Sequence, residues 1–136
     1  MGMVNTEVTL KNTGDVELVE RGHLKEGEVR EVTVTALVDT GAFNLCITED
    51  VFNKLGLKVI GHSTATVANG KHVVCKITAP IDVHWRDRST TVRSTVVPGL
   101  EKVLLGAIPL EGMDLMVCPK TQEVMGAHGD EMVFYI

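Results

Sequence analysis

The run Ala36-Leu37-Val38-Asp39-Thr40-Gly41-Ala42 carries an acidic side chain out of an apolar, β-branched segment straight into a tight turn. A carboxylate presented in this way suits one half of a catalytic pair. Hydrolysis at a metal-free site needs one group to take a proton from water and another to donate one. Two carboxyls that share a proton meet both needs. At an effective dielectric near 20 and ~3 Å separation their repulsion is about 5 kcal/mol, so one of them stays protonated. The chain holds a single Asp-Thr-Gly. A second carboxylate must then come from another copy, and an isologous two-fold interface supplies it by setting each residue opposite its own symmetry mate. The tripeptide alone arises by chance in a few per cent of chains this long, and an Asp before Gly often caps its own turn. The surrounding elements must therefore carry the assignment.

Val, Thr and Ile recur in short alternating runs broken by Gly, Asn and Asp, which predicts many short strands. Glu7-Val8-Thr9-Leu10 and Val16-Glu17-Leu18-Val19 flank Asn12-Thr13-Gly14-Asp15, the pattern of a first hairpin. Asn12-Thr13-Gly14 imitates the Asp39 tripeptide, but its amide does not exchange protons as a carboxyl does, and it reads as a turn. Val32 to Ala36 alternates into Asp39 with apolar residues on one face and Thr on the other, so a strand aims the carboxylate. Thr48 to Gly56 has a Thr cap, acids in the first turn, Lys54 near the end and a terminal Gly, predicting a short helix. Thr64 to Val67 and His72 to Ile77 flank Ala68-Asn69-Gly70-Lys71, a projecting hairpin built on Asn-Gly. A further hairpin is predicted from Ile81-Asp82-Val83-His84-Trp85 through Arg86-Asp87-Arg88 to the run from Thr91 to Val97. Val103-Leu104-Leu105-Gly106 reads as a buried strand stopped by Gly, and Ala107 to Met113 as a turn or short helix. Two last strands are expected at Asp114 to Cys118 and Glu131 to Ile136.

Composition narrows the function classes. At 136 residues the chain suits one compact domain, residues 1–136. A net charge of -5, from 13 basic and 18 acidic residues without a basic run, leaves no electrostatic footprint for nucleic acid or an anionic membrane. Cys46, Cys75 and Cys118 are odd in number, widely spaced and set among apolar residues, which favours reduced thiols and a cytoplasmic location. Glu7, Lys11 and Asp15 stand where a signal peptide needs an apolar run, and no apolar stretch approaches the ~20 residues of a membrane span.

With these elements placed, the chain resembles the retropepsin-like (clan AA) aspartic proteases over roughly Gly27 to Lys120. The resemblance lies in the order of parts: a strand into Asp39-Thr40-Gly41-Ala42, a hairpin at Ala68 to Lys71, then Leu104-Leu105-Gly106. It implies that Asp39 is catalytic and that Thr40 hydrogen-bonds across a dimer to brace the active-site loops. Gly41 and Ala42 complete that loop, and Leu105 and Gly106 pack beneath it. Ala68, Asn69, Gly70 and Lys71 become the flap candidate. The helix from Glu49 to Leu55 and the extension after Gly106 resemble the bacterial branch. Two departures stand beside these matches: only Gly70 occupies the hairpin tip of a flap that is glycine-rich in retroviral members, and the sole Tyr is Tyr135. Ala42 supplies no hydroxyl to an ionised carboxylate, which predicts activity at mildly acidic to near-neutral pH.

Other residues offer other chemistry. His23, His62, His72, His84 and His128 lack zinc-ligand spacing with one another or with the cysteines. Asp82 and His84 share a strand face, where an acid-base pair or a metal is an alternative. Cys46, close to the Asp39 loop, is a conceivable nucleophile without a local activator. Leu100, Val103, Leu104 and Leu105 read as core, residues around Ile108 as candidates to line a cleft, and Phe134 and Tyr135 as edge packing or dimer interface.

The expectation is an all-β, closed-barrel acid-protease fold with one or two short helices. It would act without metal or cofactor as a homodimeric aspartic endopeptidase on extended peptide or protein. The competing readings are a catalytically inert dimeric β-barrel module that binds peptide or protein, and a plain β domain with an accidental Asp-Thr-Gly.

Overall fold

A computed structural model describes residues 3–136. Strand β1 (Val4–Asn12) alternates buried Val8, Leu10 and Asn12 with more exposed residues and pairs antiparallel with β2 (Glu31–Val38) along its whole length. The β1 strand ends at Asn12, whose side-chain oxygen accepts from the Asp15 amide at 3.1 Å and so caps α1 (Thr13–Glu20). The Asn-Thr-Gly-Asp run is therefore a helix start. The predicted strand at Val16 to Val19 is helical, because capping satisfies donors that a two-residue hairpin would leave free. The Asn12 amide nitrogen also donates to the Leu55 carbonyl at 2.8 Å, locking this corner against the second helix.

That second helix, α2 (Glu49–Leu55), forms as its sequence predicts: Thr48 Oγ1 accepts from the Val51 amide, and Gly56 closes it with φ +58. Val51 and Leu55 face the core. Strand β3 (Leu45–Ile47) precedes it; β4 (Val59–Thr66) and β5 (His72–Thr78) form the Asn-Gly hairpin that follows. β6 (Ile81–Trp85) and β7 (Arg88–Val92) form the next hairpin. Then come β8 (Ser94–Val96), β9 (Leu104–Leu105), α3 (Ala107–Gly112), β10 (Leu115–Val117) and β11 (Val124–Gly126).

Nine strands make one sheet in the order β4-β5-β8-β3-β9-β2-β1-β6-β7, while β10 and β11 pair separately. This overturns the all-β closed barrel. The fold is mixed α/β with a large open sheet whose end strands, β4 and β7, do not pair with each other. Closure would need the free edges of those strands to meet. Instead α3 packs on β7 so closely that a Cβ on Gly112 would lie 2.5 Å from Thr90 Oγ1. The pairing is also mixed, with β2 parallel to β9 and β3 parallel to β8. The core gathers Val8, Leu10, Leu45, Ile47, Leu55, Ile81, Val83, Val96, Leu105 and Met113. Glu131 to Ile136 is not a strand; one isolated bridge, His128 to Glu131, is its only sheet-like pairing among the described residues.

One ion pair ties the helical corner to the sheet. Both oxygens of the buried Asp15 carboxylate accept from the Arg30 guanidinium, at 2.8 and 2.9 Å, and one accepts also from the Arg30 amide. These hydrogen bonds hold the Asp15 carboxyl below the usual carboxylate range. The support is present above the ordinary value of 3.8 and fades as pH falls through the lowered one. Asp15→Ala is expected to cost about 2 kcal/mol at neutral pH. Urea unfolding at pH 7 measures it, and the difference from the parent should shrink in acid below the ordinary carboxylate range.

Candidate active site

The Asp39 loop is positioned by a strand threaded between two others. β9 lies between β2, to which it runs parallel, and β3, to which it runs antiparallel. The Leu37 amide donates to Val103 O at 2.8 Å and the Asp39 amide to Leu105 O at 3.1 Å, so the backbone is fixed up to the carboxylate-bearing residue. A tight turn follows. Gly41 N donates to Asp39 Oδ1 at 3.0 Å and Ala42 N to Asp39 O at 3.0 Å. Asp39 is half-buried, whereas Thr40 and Gly41 are exposed.

The loop and the Leu-Leu-Gly element complete each other. Helix α3 begins at Ala107 without a side-chain cap, which leaves its first amides in need of partners. Ala107 N donates to Ala42 O at 2.9 Å and Ile108 N to Phe43 O at 3.0 Å. The approach leaves no room for a side chain at Gly106, where a Cβ would meet Asn44 O at 2.3 Å and Ala42 O at 2.6 Å. Asp39, Gly41, Ala42, Leu105 and Gly106 are thus one continuous piece of structure.

The hairpin tip is a separate one. Val67 N bonds to Lys71 O, Gly70 N to Val67 O and Lys71 N to Asn69 Oδ1, with Gly70 at φ +81, and residues 68–71 are exposed. A cleft of ≈ 340 Å³ beside Asp39 is lined instead by Met3, Val4, Leu37, Val38, Thr40, Val117 and Gln122. The hairpin tip contributes nothing to it. Val117 ends β10 and Gln122 lies in the β10–β11 connection, and no sequence signal linked them to Asp39, because only the return of the chain after α3 brings them there. Phe43 is also new. It stands 74% exposed within the same loop, with Ile108, 36% exposed, on the amide that holds its carbonyl.

The remaining candidates resolve by their surroundings. Burial above all, then the charges of Cys75 and Asp39, pushes the Cys46 thiol up, which disfavours the nucleophilic thiolate. Burial likewise raises Cys75. Hydrogen bonds from the Thr121 side chain and from the Thr121 and Lys120 backbone lower Cys118. Asp82 Oδ1 accepts from the Thr13 and Thr91 hydroxyls at 2.6 and 3.0 Å, an anchor between α1 and the β6–β7 hairpin. Among the described residues no three His, Cys, Asp or Glu side chains gather as a metal site, and no helix is long and apolar enough to cross a membrane.

A family model described as "gag-polyprotein putative aspartyl protease" matches residues 25–112, the span that holds both the Asp39 loop and the Leu-Leu-Gly element. The chain belongs to that family. Among solved structures, the protease of EIAV, complexed with the inhibitor HBY-793, is similar at 18% identity with a TM-score of 0.56, covering 81% of this chain and 86% of that one. The retroviral protease-like domain of Ddi1 from Leishmania major is similar at 17% identity with a TM-score of 0.54, covering 88% and 84%. A retropepsin-like aspartic protease from Rickettsia conorii aligns at 16% identity and a TM-score of 0.47, over 77% and 66%. No curated protein sequence matches the chain. The fold of this aspartyl-protease family member is thus similar to that of the EIAV protease and of the retroviral protease-like domain of Ddi1.

Proposed function

We propose that the chain is a homodimeric aspartic endopeptidase in which Asp39 of each of two copies activates water between them. The observation that carries this reading is the clasp of the Asp39 loop by Leu105, Gly106, Ala107 and Ile108. It fixes the backbone of one carboxylate-bearing turn while leaving Thr40 exposed, which suits contact with a second copy. Each chain holds one such carboxylate. A two-fold axis beside Thr40 pairs it with its mate, and the shared proton gives one base and one acid. Extended peptide is the fitting substrate, since its main chain can pair with strand edges while its side chains alternate between pockets. The helix α2 and the chain beyond Gly106 support placement in the bacterial branch, and the odd number and wide spacing of the cysteines support a cytoplasmic setting.

The second reading, an inert dimeric module that binds peptide or protein, is favoured by one feature: the 68–71 hairpin tip does not line the Asp39 cleft. Assaying a peptide library while measuring the oligomeric state separates the two. Cleavage by a dimer supports the enzyme, and a dimer that binds without cleaving supports the module. A chain that stays monomeric at working concentration removes the shared pair altogether.

Activity is expected at mildly acidic to near-neutral pH. Ala42→Ser places a hydroxyl next to the loop, and if that hydroxyl donates to the ionised pair it moves the acid limb of the pH–rate profile downward. A parent maximum below about pH 3 contradicts the expectation.

A further inference from the structure

We propose that Asp114 is a positioning residue that pins a C-terminal strap, residues 127–136, and through β10 sets the wall of the Asp39 cleft. The part concerning the cleft rests on the endopeptidase reading above; the strap does not.

Asp114 joins α3 to β10 at a point where three parts of the chain converge. It is buried and left-handed, with φ +51, a conformation uncommon outside glycine that persists where the surroundings fix it. Its carboxylate Oδ2 accepts from His128 Nδ1 at 2.8 Å and from the Val133 amide at 2.9 Å. Its carbonyl accepts from the Ala127 amide at 2.8 Å and from Arg88 Nη1 at 2.8 Å. The buried Arg88 also donates to Met113 O and Gly129 O, so one guanidinium from β7 binds the end of α3 and the strap together. Gly126 lies so close under this junction that a Cβ there would collide with Gly129 O and the Arg88 guanidinium.

Apolar burial contributes little to the strap's hold. Met132, Phe134, Tyr135 and Ile136 are all exposed, and the strap's one sheet-like bridge among the described residues, His128 to Glu131, joins two of its own members. Tyr135 meets His128 edge-on at 6.2 Å, a contact between two members of the strap itself. The Ala127 amide and the Gly129 carbonyl are tied by the Asp114 backbone and by Arg88, whereas His128 and Val133 depend on the carboxylate, so its loss frees the part of the strap around Val133. The Val133 amide first, then His128, holds the Asp114 carboxyl below the usual carboxylate range, so it accepts as an anion through mildly acidic pH. Because Asp114 immediately precedes β10 and Val117 ends it, and Val117 with Gln122 lines the Asp39 cleft, loosening the pin moves the cleft wall.

The test is amide hydrogen exchange on the full chain together with peptide kinetics, for the parent, Asp114→Ala, Asp114→Asn and His128→Ala. Asp114→Ala is expected to lower Val133 protection about 10- to 100-fold, the worth of a hydrogen bond to a charged group. Asp114→Asn keeps an acceptor oxygen and is expected to restore part of it. His128→Ala, the gentlest change, is expected to show a smaller loss. Protection at core amides such as Leu10 and Val83 reports that each variant is folded. KM is expected to rise several-fold with kcat nearly unchanged. Unaltered Val133 protection in a folded Asp114→Ala overturns the strap. Loosened exchange with an unmoved KM overturns the link to the cleft. If the parent cleaves nothing, the endopeptidase reading falls, and the exchange data still decide the strap.

Discussion

Asp39→Asn is expected to reduce peptide cleavage by about a thousandfold while leaving the fold intact. Asparagine is nearly isosteric and keeps the side-chain oxygen that accepts from the Gly41 amide, so the turn retains its geometry. What it loses is the proton chemistry. An amide neither takes a proton from water nor shares one with a second carboxylate, and in a two-fold dimer the substitution removes both members of the pair at once. Thermal unfolding should change by no more than about 0.5 kcal/mol, as for substitutions that leave buried contacts in place. Side-by-side kinetics and calorimetry check both halves of the expectation. Cleavage by the variant at the parental rate eliminates Asp39 as the catalytic group, and with it the argument for a shared pair.

Gly106→Ala is expected to damage stability and activity together, which separates it from Asp39→Asn. The new methyl would stand 2.3 Å from Asn44 O and 2.6 Å from Ala42 O, both backbone atoms of the loop that carries Asp39. Neither atom belongs to a flexible side chain, so relief requires the loop and α3 to separate. That separation weakens the hydrogen bonds Ala107 N to Ala42 O and Ile108 N to Phe43 O. Overpacking of this kind costs about 3 kcal/mol, which lowers the melting temperature of a domain this size by roughly 10 °C. Displacement of a reacting group by about 1 Å costs on the order of a hundredfold in rate, so residual folded protein should also turn over slowly. A variant with parental melting temperature and kcat would show that the loop and the Leu-Leu-Gly element do not depend on this close approach.

Local chemistry shaped several elements legibly. The Thr48 cap, the acids after it and Gly56 specify α2 within nine consecutive residues, because a helix start and a left-handed stop are short-range events. Asn69-Gly70 likewise defines the β4–β5 hairpin by the positive φ its turn requires. Asn12-Thr13-Gly14-Asp15 misled for the same reason it was conspicuous: turns and helix caps draw on the same residue types. The choice fell to Asn12's second bond, to Leu55 O, more than forty residues away. Barrel closure was equally out of reach of alternation patterns. A period of two shows that a segment is a strand with two unlike faces, but not whether the last strand meets the first, and here α3 against β7 leaves the sheet open.

By itself, the sequence determined that a carboxylate follows an apolar strand into a tight Asp-Thr-Gly turn, that one such turn exists per chain, and that Leu-Leu-Gly comes later. These are statements about composition and order along the chain. Only the tertiary structure decided that Gly106 sits beneath Ala42 and Asn44 and that β9 threads between β2 and β3. It likewise decided that Val117 and Gln122 flank Asp39 while the 68–71 hairpin does not, and that Arg88, Asp114 and His128 meet at all. The physical reason is the range of the forces involved. Capping, turn preference and alternation act over a few residues and leave their mark in local order, whereas packing and buried hydrogen bonds act between atoms whose separation along the chain is arbitrary.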